Sequence, residues 1–183
     1  MKVPILENDR AKLIPLTMEN YSLVADIASE NNLIQYSPSN ISTPEALKDY
    51  VKTAINLKEQ GKAMPFLIHD NHARAYAGCT RFGHIDWKNK VAHIGWTWIG
   101  KSFQGTGLNR HVKNLMIDYL FNDLEFDKLE FRIDERNLRS RRAVEKLGAH
   151  LEGILRSNTI MQDGFRRNSC CYGILKSEWS LNS

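Results

Sequence analysis

Gln104-Gly105-Thr106-Gly107-Leu108-Asn109 follows a strand-like run, Val91 to Ile99, and opens an amphipathic one. In the latter, Leu108, Val112, Leu115, Met116, Tyr119 and Leu120 recur at helical spacing. Strand, glycine turn and helix start are the three parts of a main-chain phosphate cradle. The glycines let the backbone approach a ligand with no Cβ in the way. The N–H groups of the first helical turn lack partners within the helix and face an anion, helped by the helix dipole. Two glycines before a helix also occur as plain helix entries; the neighbouring segments decide between the two.

Upstream, Met64 to His69, Arg74 to Gly83 and Lys90 to Ile99 read as three strands, joined by turns at Asp70-Asn71 and Asp86 to Asn89. Thr43-Pro44-Glu45 places an N-cap, a first-turn proline and an early carboxylate ahead of a helix reaching Gln60. Before these, Ala11 to Leu16 reads as a strand and Met18 to Ser29 as a helix capped by Thr17, followed by a loop at Tyr36 to Asn40. Downstream of the glycine helix, which runs to Phe121, comes a strand at Lys128 to Ile133. A helix then runs from Leu138 to Leu147, with Asn137 as N-cap and Gly148 past its end. Ala149 to Arg156 and Ser169 to Leu175 are closing strands around an Asp163-Gly164 turn. The order is β-α-α-β-β-β-α-β-α-β-β, a mixed α/β sheet. No repeat or linker divides residues 1–183, so a single domain is expected.

Composition excludes several classes. Hydrophobic residues make up 42% and charged residues 25% of the 183, globular values compatible with one packed core. The apolar runs fall short of the ~18 residues of a membrane span, and the first ten residues lack a secretory apolar core, so no membrane partner is expected. Cys79, Cys170 and Cys171 form neither an even framework nor a spaced metal pair. They read as reduced thiols of a cytoplasmic protein without a metal site. The net charge of +4 suits a small anionic ligand, and no block of like charge marks a nucleic-acid tail. A nucleotide-binding reading lacks the lysine-serine pair that follows a nucleotide-type phosphate loop.

Four segments in order carry a resemblance: Ile94 to Trp98, Gln104 to Asn109, Asn137 to Ala149, and Leu151 to Arg156. Asp163-Gly164 and Glu178-Trp179 also fit. Together they resemble the GNAT acyltransferase superfamily, and most closely its ribosomal-protein N-terminal acetyltransferase (Rim-type) branch, from Leu13 to Trp179. The resemblance implies a sheet whose fourth and fifth predicted strands splay, acetyl-CoA as donor co-substrate, and an amine acceptor. It implies that main-chain N–H groups of Gly105, Thr106, Gly107, Leu108 and Asn109 bind the pyrophosphate, with Gln104 opening the family's loop pattern. Asn109 departs from the small residue usual there, and its amide either crowds the phosphate or hydrogen-bonds it. Main-chain groups of Trp96, Thr97 and Trp98 would bond the pantetheine amides and polarise the thioester carbonyl, the side chains of Trp96 and Trp98 serving as core or rim aromatics.

Asn137 matches the position where superfamily members contact the pantetheine arm, beside its reading as an N-cap. Many members place a tyrosine acid seven residues later; here that residue is Val144. Rim-type relatives carry a serine three residues after the asparagine, which Ser140 matches as hydrogen-bond donor to the departing thiolate. His93, where relatives often hold glutamate, is the candidate base, beside a structural reading of the same histidine. Lys101, Arg110, Lys113, Arg139, Arg141 and Arg142 could meet the 3′-phosphate of CoA or form a solvated basic face. An α-amine, with a reference pKa of about 7.7–8.0, needs less help to become nucleophilic than a lysine at about 10.4. The acceptor implied is a protein N-terminus; a polyamine, aminoglycoside or other small amine is the alternative, and a non-catalytic CoA-binding module the alternative of another class. Acceptor pockets of the superfamily fall here at residues 31–44 and 156–166. Relatives often pair, which makes a homodimer an open expectation.

Overall fold

The computed structural model describes residues 3–179. Its strands are β1 (Leu6–Glu7), β2 (Ala11–Pro15), β3 (Met64–Asp70), β4 (Ala75–Asp86), β5 (Val91–Ile99), β6 (Lys128–Asp134), β7 (His150–Ile160) and β8 (Arg166–Leu175). They form one sheet in the order β1-β2-β3-β4-β5-β6-β8-β7, and only the β5–β6 pair is parallel. The helices are α1 (Ala25–Ala28), α2 (Pro44–Glu59), α3 (Leu108–Asp118), α4 (Leu138–Glu145) and α5 (Lys176–Trp179). The mixed α/β order read from the sequence is present, with β1 added ahead of it.

Alternation along the strands divides the apolar side chains between two faces. On one, Phe66, Phe82 and Ile94 meet Leu108, Val112 and Met116 of α3 and Val144 of α4. On the other, Leu67, Cys79 and Trp98 pack against Leu47 and Val51 of α2. Each fully buried side chain of this size contributes about 1.5–3 kcal/mol. The sheet is thereby clamped as a middle layer, and its splayed strands are held in place from both sides.

α2 begins as its sequence dictates: Thr43 Oγ1 accepts the Ala46 N–H at 3.2 Å, and Pro44 occupies the first turn. The predicted helix at Met18 to Ser29 does not form as one piece. A 3-10 turn at Tyr21–Val24 precedes the short α1. Asn20 explains the break, because its amide accepts the Thr17 N–H at 2.8 Å and donates to the Pro15 carbonyl at 2.9 Å. A side chain that bonds the backbone locally competes with helix continuation. Thr17 Oγ1 accepts only the Glu19 N–H, at 3.2 Å. α3 also ends earlier than predicted, widening over Tyr119–Asp123 into a π-turn closed by the Leu124 N–H to Tyr119 carbonyl bond at 3.1 Å.

The feature that positions the site is where β5 and β6 part. Their ladder pairs Val91 with Lys128, Ala92 with Leu129 and His93 with Glu130, and then stops. From Ile94 onward β5 stays bonded to β4 alone, while β6 stays bonded to β8 through Asp134. The splay implied for the fourth and fifth predicted strands is this gap.

Candidate active site

The gap is held open by an irregularity in β5. Arg81 pairs with Gly95 and Cys79 with Trp98, so two steps on β4 oppose three on β5. The extra residue makes a bulge, and Trp96 takes φ +51°, a left-handed conformation costly for a bulky side chain. Beyond His93 the main chain of β5 has no strand on its β6 side. The Tyr50 hydroxyl donates to the Trp96 carbonyl at 3.4 Å from the α2 side.

At the far end of β5 the chain turns into α3. Gly105 and Gly107 sit at φ +77° and +87°, and a Cβ built on either would meet nothing within 4 Å. Among the described residues, the N–H groups of Gly105, Thr106, Gly107 and Asn109 donate to no acceptor. This is the open, unpaired main chain that an anion cradle requires. Gln104 fixes the loop from outside: its Nε2 donates to the Ile99 carbonyl at 2.8 Å, and its Oε1 accepts from Arg139 Nη1 of α4 at 2.5 Å. Asn109 Oδ1 is buried without a partner, beside the cradle.

Across the gap, Asn137 caps α4, its side chain accepting the Ser140 N–H at 3.1 Å. Ser140 lines the same cleft, one turn before Val144, which brings no hydroxyl to that face. The cleft has a volume of about 1380 Å³. Its walls bring together all the predicted catalytic and cofactor-binding residues except Thr106 and Leu108, which stand at its edge in the turn. The side chains of Trp96 to Trp98 divide. Trp98 is core on the α2 face, Trp96 packs on His84 and His93, and Thr97 faces α3.

His93 is 6% exposed, and its Nε2 accepts the Arg132 N–H at 2.9 Å. That N–H belongs to β6 just beyond the end of the ladder, so the imidazole satisfies a donor that the splay would otherwise strand. Its lone pair is occupied. Burial first, then the neighbouring His84, Arg132, Lys113 and Arg167, drives its pKa from 6.5 down to about 3. His93→Ala is expected to cost about 1–3 kcal/mol by leaving the Arg132 N–H unpaired, read as a lower urea midpoint at unchanged slope. The unfolded imidazole protonates near 6.5 and the folded one only near 3, so native stability falls as pH drops between those values. His93→Ala should lack that acid sensitivity; an unaltered midpoint would remove the imidazole from the strand junction.

Lys113 was legible only as one of a basic cluster, and it is not a solvated cation. It is 6% exposed, and its Nζ donates to Thr97 Oγ1 at 2.6 Å, which in turn shares a hydrogen bond with Thr80 Oγ1 at 2.8 Å. No carboxylate pairs with it among the described residues, and burial lowers its pKa from 10.5 to about 7. Its position on the apolar face, three residues before Met116, was the signal available in the sequence. Arg141 is also structural, donating to the Tyr172 hydroxyl at 3.0 Å and the Glu135 carbonyl at 3.1 Å.

The two loops expected to shape the acceptor pocket meet over the cleft. Arg167 donates to the Tyr36 carbonyl at 2.8 Å, and the Gln162 amide donates to the Ser39 carbonyl. Arg136 stacks on Phe165 at 3.9 Å and lies 5.8 Å from the Tyr36 ring. Both Asp134 oxygens are held by Arg136, at 3.0 and 2.8 Å. No helix among the described residues is long and apolar enough to cross a membrane.

Comparison with known proteins agrees with this geometry. Residues 10–150 match the acetyltransferase (GNAT) domain family. The "Putative ribosomal N-acetyltransferase YdaF" of Bacillus subtilis is 30% identical over 113 residues, 62% of this chain and 59% of that protein. The "Probable N-acetyltransferase YjcK" of the same organism is 38% identical over 69 residues, 38% of each chain. The chain thus matches well under two thirds of either relative's length. A crystal structure described as a "putative acetyltransferase", from T. thermophilus, superposes with a TM-score of 0.86 at 27% identity, over 98% of this chain and 94% of that one. The spermidine N-acetyltransferase from Vibrio cholerae, in complex with CoA and spermine, gives 0.78 at 18% identity over 94% and 99%, a likeness of fold alone. With this cleft and this match, the chain belongs to the GNAT acetyltransferase family.

Proposed function

We propose that this chain moves acetyl from acetyl-CoA to a protein N-terminal α-amine by direct transfer within a ternary complex. One observation carries the choice of acceptor: the cleft's one carboxylate and the candidate base His93 are both engaged, which leaves His84 and the buried Lys113 amine as its remaining titratable bases. Asp134, the one carboxylate lining it, is held by Arg136 through both oxygens, and the His93 lone pair is taken by the Arg132 N–H. A nucleophile that arrives neutral therefore suits this cleft best. At pH 7 an α-amine is roughly a tenth neutral, a lysine well under a thousandth. A polyamine fits less well, since eight lysines and arginines line the cleft against that one acid.

Bound acetyl-CoA supplies an acetyl group already activated as a thioester. The unpaired N–H groups of Gly105, Thr106, Gly107 and Asn109 hold its pyrophosphate, and Lys113 faces its negative charge from α3. Main-chain groups of Trp96 to Trp98, with Asn137 opposite, hold the pantetheine arm, and an N–H of the bulge polarises the thioester carbonyl. The amine nitrogen bonds to the acetyl carbon, the carbon–sulfur bond breaks, and the amine's proton passes to the thiolate. Ser140 donates a hydrogen bond at that sulfur. Ser140→Ala is expected to lower kcat about tenfold to a hundredfold with acetyl-CoA affinity within about twofold. An unchanged kcat would take Ser140 out of the reaction.

The test of the acceptor is free-thiol release from acetyl-CoA against N-terminal peptides, lysine-only peptides with blocked N-termini, and spermidine. Peptides with free N-termini should be preferred by kcat/KM. A preference for spermidine or for lysine side chains would overturn the proposal.

A further inference from the structure

On the α2 face of the sheet lies a charged side chain that the transfer chemistry does not use. Arg81 of β4 is 4% exposed, with its guanidinium 3.9 Å from the centroid of the Trp96 ring and 5.6 Å from that of Tyr50. Among the described residues its side chain makes no ion pair and no hydrogen bond, and its Nε is buried without a partner. Stacking on aromatic faces contributes about 0.5–2 kcal/mol, well short of what removing a cation from water costs. Burial accordingly pulls the guanidinium pKa down. A cation held this way is incomplete without an anion.

Beside it, under the end of α2, is a separate cavity of about 420 Å³, and Arg81 forms part of its wall. Leu57, Ile85, Trp87 and Trp96 supply apolar walls, and the exposed Lys62 and His84 also line it. The one acid there, Asp86, is engaged by Asn89, whose N–H and side-chain amide reach its two oxygens at 2.9 and 2.7 Å. We propose that this cavity is a binding site for a small organic carboxylate, paired with Arg81 through its two oxygens and packed by its apolar body between Leu57, Ile85 and the indoles. The planar fork of a guanidinium matches a carboxylate in shape and charge. With Arg81 the one buried cation in the lining and Lys62 and His84 exposed, the largely apolar wall favours a monoanion with a hydrocarbon part over a phosphate. Trp96 lines this cavity and the transfer cleft alike, so the occupant would touch the residue whose main chain forms the β5 bulge.

Binding is read without turnover, so the result stands apart from the choice of acceptor. Thermal unfolding of the full chain is followed in sodium benzoate, sodium phosphate and sodium chloride at one ionic strength. Benzoate at ten times its Kd should raise the Tm by about 3–6 °C over chloride. Arg81→Met should abolish that rise. Leu57→Trp, which keeps Arg81 and fills the cavity, should abolish it too, and answers the question if Arg81→Met does not fold. No benzoate-specific rise, or a rise that survives both substitutions, would overturn the site. A rise with phosphate but not benzoate would overturn the carboxylate assignment.

Discussion

Gly107→Trp is expected to raise the Kd for acetyl-CoA at least about a hundredfold while leaving the protein folded. Gly107 is exposed, starts α3 at φ +87°, and has empty space where a side chain would project. An indole there occupies the room the pyrophosphate needs and shields the N–H groups around it. Losing two charge-assisted hydrogen bonds of about 1.5–3 kcal/mol each accounts for the hundredfold loss. Holding a bulky residue at positive φ costs about 1–3 kcal/mol, which a domain of this size survives. Titration calorimetry with acetyl-CoA, alongside circular dichroism of the variant, measures both parts. Wild-type affinity in a folded Gly107→Trp protein would show that the diphosphate does not rest on this loop.

Lys113→Met should have the opposite sign on stability. The amine titrates near 7 in the fold and near 10.5 in the unfolded chain. Between those values the unfolded chain carries a proton that the native state lacks. Stability therefore rises as pH climbs from 7 to 10.5, and below 7 the full penalty of the buried amine stands. Methionine removes the penalty and loses one hydrogen bond to Thr97, so the variant should be more stable by about 2–4 kcal/mol at pH 7, the gain fading toward pH 10.5. Cofactor binding should move the other way. A tetra-anionic ligand favours the charged amine, so wild-type affinity should fall as pH rises above about 7, through proton uptake on binding. Lys113→Met should bind more weakly at pH 6.5 and lose that slope. A variant less stable than wild type, or with an unaltered slope, would mean that Lys113 is paired in solution by a group the structure does not bring to it. A residue that destabilises the empty protein and serves the occupied one is the usual trade between stability and function.

Much of the local structure around the site was readable along the chain because it is built from local signals. Thr43-Pro44 and Asn137 start helices through bonds to residues three positions on, and Gly105 and Gly107 mark a turn that no other residue makes without strain. What failed in the sequence failed for a local reason as well. At Met18 to Ser29 helical periodicity was present, and the Asn20 amide overrode it by bonding the preceding turn. His93 shows a different limit. A strand histidine in a cleft has the same signature whether its lone pair is free or spent, and only its pairing with Arg132, 39 residues away in sequence, decides which.

The order of elements and the place of the glycine turn could be read from residue spacing, since each rests on near neighbours, while the acetyltransferase class came from the resemblance of four segments to a known family. Which charges are usable was settled only by the folded arrangement. Arg81 and Lys113 stand in the sequence as ordinary basic residues; the sheet and its helices bury them, strip their water and give them no acid to pair with among the described residues. Charge state and ligand appetite follow from burial and from partners distant along the chain, and neither is written in the spacing of neighbouring residues.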